Sequence, residues 1–298
     1  MKKVFFTFAF LLAFPFFAHS AEEVTANLTI NEPSYERTIV LGEEGTPLAR
    51  YRYISVPFKP YIDELRTPSG KNILRDGCSP SHPHHRALML ALGINGTDFW
   101  HEWNENNGKQ ITTQLRSDAG SVETEIDWNV PNQNVLKEVR KISAKPGDNV
   151  TLLDWHSAFD AVEDVVLGGN HYFGLGLRFV QEMDRGGRFF NDTGQAGEIV
   201  RGDERLTRCR WMAYTANVDG QPVTVVLFDH PSNPRPMTAF TMGDAGGSFS
   251  FLGATMNYHR EPLRVGAGES FSLKYRVALW DGEVSPEVIE RVYTDFVR

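Results

Sequence analysis

From Ala21 to Asp281 apolar and polar residues alternate in short segments, each broken by Gly, Pro, Asn or Asp. Period-two alternation places successive side chains on opposite faces of an extended chain and so predicts half-buried strands. The pattern predicts strands over 38–41, 49–56, 88–94, 112–115, 122–128, 135–142, 150–159, 172–181, 208–216, 223–229 and 270–280. Their spacing of roughly ten to fifteen residues, with turn signals between, predicts an all-β fold, an antiparallel β-sandwich. No internal repeat or low-complexity linker interrupts it, so residues 21–298 are expected to form a single β-sandwich domain. The period changes only at the end. Ser285 can cap a helix, Pro286 suits its first position, and Val288, Ile289, Val292, Tyr293 and Phe296 form an apolar stripe. A short C-terminal helix is expected to pack on the sandwich.

The first 20 residues do not fit this pattern. Lys2 and Lys3 precede an apolar run that ends in Ala18-His19-Ser20, and seven of the 20 phenylalanines fall here. A charged start, a short apolar run and a small-residue exit predict a signal peptide cut near Ser20/Ala21, and hence a periplasmic or secreted protein. Pro15 and the shortness of the run argue against a membrane span. Cleavage would leave 278 of the 298 residues and take the net charge from -8 to -10, since Lys2 and Lys3 are the only charges lost. That charge argues against nucleic-acid or anionic-membrane partners. With 41% hydrophobic and 23% charged residues, the chain can bury an ordinary core. Cys78 and Cys209 either form one disulfide closing a long loop or remain two buried thiols; they match no zinc spacing.

Three loop regions concentrate chemistry. The densest runs from Ser79 through His82, His84, His85 and Arg86 to Asp98, Trp100, His101, Glu102 and Trp103. Four of the eight histidines beyond residue 20 lie within it. Indole faces bind the C–H surface of sugars by dispersion, and polar neighbours bond the hydroxyls. Imidazoles also ligate metals, but adjacent His84 and His85 would point to opposite faces of an extended segment, so no metal or other cofactor is assigned. The second region spans His171, Tyr172 and Arg178. Period two puts Phe173, Leu175, Leu177 and Phe179 on a core face, and leaves Gly174 and Gly176 as a shallow trough between Tyr172 and Arg178. The third is Asp229, His230, Asn233 and Arg235 in a loop stiffened by Pro231, Pro234 and Pro236. The charge-rich segment 198–210 reads as a solvated loop.

Lys59-Pro60-Tyr61, Thr67-Pro68-Ser69-Gly70, the His82–Arg86 run, Asp98-Phe99-Trp100, Gly174–Arg178, Asp229–Pro236 and Leu273–Asp281 together resemble one exported bacterial family. It is often labelled "methane oxygenase PmoA-like", a domain of unknown function. The resemblance implies a β-sandwich of the galactose-mutarotase supersandwich type and a companionship with carbohydrate-degrading systems. The family pattern has Gly after His-His-Arg where this chain has Ala87.

These residues predict a carbohydrate enzyme, foremost a lyase acting by β-elimination on an acidic or oxidised sugar of a poly- or oligosaccharide. Elimination requires charge stabilisation, a base and an acid. Arg178 or Arg86 fits the first role, His84, His85 or His101 the second, and Tyr172 or His230 the third. Asp98, Trp100, His171, Asp229, Asn233 and Arg235 are further substrate-binding candidates. Hydrolysis by paired carboxylates (Asp98 or Glu102 with Asp229), epimerisation on the same fold, and non-catalytic sugar binding are the alternatives.

Overall fold

A computed structural model describes residues 26–27, 37–54, 58–77, 82–131, 133–243 and 249–298. The expected signal peptide and Cys78 lie outside the described residues. Among them, two nine-stranded sheets and one four-stranded sheet are formed, and every pairing is antiparallel. The first sheet is centred on Gln133–Gly147, Val150–Ala161, Ser270–Asp281 and Gln221–Asp229. The second runs Glu198–Arg201, Glu204–Arg208, Thr238–Met242, Phe251–Thr255, Gly174–Arg178, Leu88–Ala91, Tyr61–Leu65, Thr46–Arg52 and Thr38–Glu43. Their inner faces share one apolar core in which Leu153, Val225, Leu227 and Val277 of the first sheet join Leu88, Leu90, Leu175 and Leu177 of the second. The fold is therefore the antiparallel β-sandwich that the alternating pattern predicts.

Strands in the middle of the first sheet read as continuous apolar runs because both of their faces are covered. Val225 and Leu227 point into the sandwich, while Val226 and Phe228 point outward into a second cluster with Trp211, Ala278 and Trp280. The helix Pro286–Phe296 closes that cluster with Ile289 and Tyr293. Pro286 starts the helix as predicted, but Ser285 makes no side-chain capping bond. The predicted strand over 88–94 is divided between two sheets: Leu88–Ala91 stays in the second, and Gly93–Ile94 joins the small sheet.

A charged pair lies fully buried between the sheets. On Gln133–Gly147 the alternation that turns Lys137 and Lys141 outward turns Glu138 and Arg140 inward. Arg140 Nε and Nη2 donate to the two Glu138 carboxylate oxygens at 2.8 Å each. Trp128 Nε1 and Ser157 Oγ donate to the same oxygens at 2.7 and 2.5 Å. Arg140 also reaches Gln110 Oε1 and the Pro60 carbonyl. Among the described residues no helix is long and apolar enough to cross a membrane.

Candidate functional site

Loops from both ends of the second sheet bring His84, His85, Trp100, His101 and Tyr172 of the predicted residues, with His82, to a cavity of about 430 Å³. The first loop is shaped by proline. Pro83 occupies the second position of a turn closed by the His85 amide on the His82 carbonyl at 3.3 Å. The segment is thus folded back rather than extended, and the expectation that His84 and His85 diverge is overturned. The rings of His82, His84 and His85 gather, with centroids 4.8–5.9 Å apart, and His101 stands 4.5 Å from His84. All four line the cavity.

The second loop, after Thr97–Asp98, is fixed from both ends. Asp98 Oδ1 accepts the amides of Trp100 and His101, and its Oδ2 lies 2.5 Å from His101 Nδ1. Buried Lys59 donates to the Trp100 carbonyl and pairs with Glu102 at 3.0 Å. Burial pulls the Lys59 ammonium pKa down despite that partner. Arg86 holds the other side of Glu102 at 2.7 Å and reaches Asp76, so it braces the loop and does not line the cavity.

The trough predicted beside Gly174 and Gly176 is filled by protein. A Cβ on Gly176 would lie 2.4 Å from the Phe251 ring, and one on Gly174 would lie 2.0 Å from the Ala254 carbonyl. These glycines admit neighbouring chain, not ligand. The flanking residues nevertheless serve the cavity. Tyr172 lines it, and Arg178 lies behind it. Arg178 Nη2 bonds His85 Nδ1 at 2.8 Å, Nη1 bonds the Ser250 carbonyl at 2.7 Å, and the guanidinium lies 3.5 Å from the Phe249 ring centre.

These contacts fix proton positions. A guanidinium only donates, so His85 Nδ1 is an acceptor and its hydrogen resides on Nε2. Asp98 is a carboxylate whose pKa is pushed up by burial but more strongly pulled down by the His101 bonds, so His101 Nδ1 carries hydrogen. The Nδ1 atoms of two imidazoles in one cavity therefore play opposite roles, acceptor on His85 and donor on His101. Burial, followed by neighbouring His101 and Lys59, pulls His84 down to about 3, and burial with Arg178 pulls His85 down as well. Both rings are neutral at ordinary pH. Tyr172 is pushed up by burial and then by Asp98, which keeps its phenol protonated. His84 Nδ1, on a residue only 2% exposed, and Trp100 Nε1 are buried without a hydrogen-bond partner.

The remaining wall was not predicted. Phe249 and Phe251 line the cavity, as do Phe240 and Met242 of Thr238–Met242. The segment read as a solvated loop is instead the hairpin of Glu198–Arg201 and Glu204–Arg208, which turns Arg201 and Glu204 to the cavity. His171 is placed behind Glu204, its Nε2 3.3 Å from Oε2.

The third predicted region is not brought to this cavity. Asp229 accepts from Asn233 Nδ2 and the Met237 amide, and Asn233 also clasps both backbone groups of Lys274. His230 faces Phe296 of the helix. Arg235 bonds the Glu261 carbonyl and borders a separate cleft of about 230 Å³. The prolines stiffen a structural clasp. Cys209 is a buried free thiol. Among the described residues no group of three His, Cys, Asp or Glu side chains is arranged to hold a metal ion. Ala87, where the resembled family has Gly, has no positive φ and accepts its methyl group without strain.

Fold and site together define an all-β sandwich protein with a histidine- and aromatic-lined cavity on one sheet. The chain belongs to a family of unknown function, DUF6807, whose model matches residues 38–294. No curated protein matches it. Among solved structures it is similar to a galactose mutarotase related enzyme from Lactobacillus acidophilus, at 8% identity and a TM-score of 0.47 over 83% of this chain and 100% of that one. It is also similar to the GH36 α-galactosidase of Geobacillus stearothermophilus in complex with 1-deoxygalactonojirimycin, at 11% identity and a TM-score of 0.47 over 83% of this chain and 41% of that one. The chain thus spans about two fifths of the length of that α-galactosidase.

Proposed function

We propose that the cavity binds one sugar unit bearing a carboxylate or keto group and removes the proton beside that group, eliminating the oxygen substituent one carbon further on. The observation that carries this reading is a pair of oppositely bonded imidazoles, His101 Nδ1 on Asp98 and His85 Nδ1 on Arg178, in one aromatic-walled cavity. Aromatic faces suit the C–H surface of a sugar, and about 430 Å³ suits a small ligand. Pure binding would need hydroxyl partners but no oriented carboxylate–imidazole pair.

In this reading His101 Nε2 takes the α-proton, oriented by Asp98. His85 Nε2–H, backed by the Arg178 guanidinium, stabilises the negative charge that grows on the substrate oxygen. The C–H electron pair becomes the new C=C bond, the C–O bond breaks, and Tyr172 gives its proton to the leaving oxygen. Proton return from His101 to the Tyr172 phenolate closes the cycle. Hydrolysis by two carboxylates fits less well. Glu102 is held by Lys59 and Arg86, and Asp229 does not line the cavity. We place this activity outside the cytoplasm, on the signal-like character of residues 1–20.

The test is a screen of the purified chain on uronate polysaccharides and keto-sugar glycosides, with products read by mass. Unsaturated products from the wild type, absent from Asp98→Asn, support elimination. Solvent deuterium entering the sugar without bond cleavage would replace it by epimerisation. Binding without either reaction would leave a sugar-binding module and overturn the enzyme.

A further inference from the structure

Five of the six tryptophans are buried, whereas Trp103 is 65% exposed and borders the cavity. An exposed indole alone is unremarked surface, but this one is built in place. One side of the ring lies over His101, with centroids 3.9 Å apart and planes at 33°. Its backbone amide is held by Asn107 Oδ1 at 3.0 Å, and Asn107 Nδ2 in turn bonds the Asp98 carbonyl. The same buried amide therefore fixes both the indole and the residue that orients His101. Past Trp103, Glu105–Asn107 border a second cleft of about 720 Å³, walled by Asn106, Asn129, Gln133 and Asn134. The Asn134 Oδ1 acceptor there is buried without a hydrogen-bond partner. Along one loop thus lie, in order, an acid–base residue, an aromatic platform and one edge of an amide-rich cleft whose far wall is the 129–134 hairpin.

We propose that this loop is the floor of an extended subsite, so that the natural ligand is an oligosaccharide rather than a single sugar. The unit next to the reacting one stacks on Trp103, and the chain continues toward the amide cleft, where carboxamides bond its hydroxyls. This rests on the sugar reading of the cavity. It adds that Trp103 sets chain-length specificity.

The test measures affinity of the full chain, by calorimetry, for monomer, dimer and tetramer of galacturonic, glucuronic and mannuronic acid. In the wild type one series gains affinity with length. In Trp103→Ala the ratio of tetramer to monomer affinity falls about tenfold, as expected for loss of one stacking contact, and Trp103→Phe restores most of it. Affinity that is independent of length, or a length dependence unchanged in Trp103→Ala, overturns the subsite while leaving the cavity reading intact. No binding at any length, either in these series or in keto-sugar oligomers measured alongside them, overturns both.

Discussion

The Glu138–Arg140 pair between the sheets and the histidine cavity on the second sheet both withdraw polar and charged groups from water, but they complete their hydrogen bonding differently. Between the sheets each Glu138 oxygen accepts two donors, and all three Arg140 nitrogens find acceptors. Such a network is closed: it ties neighbouring strands of the first sheet and reaches the Pro60 carbonyl just before Tyr61–Leu65 of the second. In the cavity, Arg178 bonds Nδ1 of the His85 imidazole and Asp98 bonds Nδ1 of His101, while His84 Nδ1 and Trp100 Nε1 have no partner. Buried polar groups left open cost stability. The unpaired donors and acceptors of the cavity are the groups that a ligand would meet under the proposed reading.

Breaking the closed network has the largest expected effect. Glu138→Ala strands the Arg140 guanidinium between the sheets, and should lower unfolding free energy by about 3–5 kcal/mol in urea titration. A change below about 1 kcal/mol would show that the pair contributes little. Breaking the open network should do the reverse. Asp98→Asn removes the carboxylate that fixes the His101 tautomer, and turnover on a substrate found by screening should fall at least about 100-fold, with stability shifted by less than about 1 kcal/mol. Comparable losses of stability in both variants would erase the distinction.

The smallest effect is a pH slope. His84 has its folded pKa depressed from 6.5 to about 3, so its contribution to stability is present above pH 6.5 and is lost as pH falls toward 3. Asp229, in the structural clasp, is raised by burial from 3.8 to about 6, so its contribution is present below pH 3.8 and is lost as pH rises through 6. Thermal midpoints of the wild type and His84→Asn should therefore diverge as the pH is lowered from 7 to 4, with the variant losing less. Parallel curves would mean that His84 is not buried as a neutral ring.

The density of histidine and tryptophan between His82 and Trp103 was legible because few structural roles need four imidazoles within so short a stretch. Their convergence was not, since it depends on the Pro83 turn and on Lys59, more than twenty residues upstream, gripping the Trp100 carbonyl. Outer strands of the first sheet, such as Ser121–Val130, were legible from alternation, and Gln221–Asp229 from its unbroken apolar run. Thr238–Met242 and Phe251–Thr255 were missed, and with them the aromatic wall, because strands buried on both faces carry no alternation to read. Arg201 and Glu204 sit in a charge run that resembles any solvated loop until the hairpin places it at the cavity edge. The Asp229–Arg235 loop misled in the other direction, since prolines that stiffen a catalytic loop and prolines that stiffen a clasp look alike in sequence.

The central claim is that one cavity holds two imidazoles whose Nδ1 atoms play opposite roles, acceptor on His85 and donor on His101. Nitrogen-15 NMR of histidine-labelled protein at neutral pH, assigned with His85→Gln and His101→Gln, tests it directly. The account predicts that His85 carries its proton on Nε2 and His101 on Nδ1. The same tautomer on both rings, or a His85 ring that is protonated at neutral pH, would contradict it.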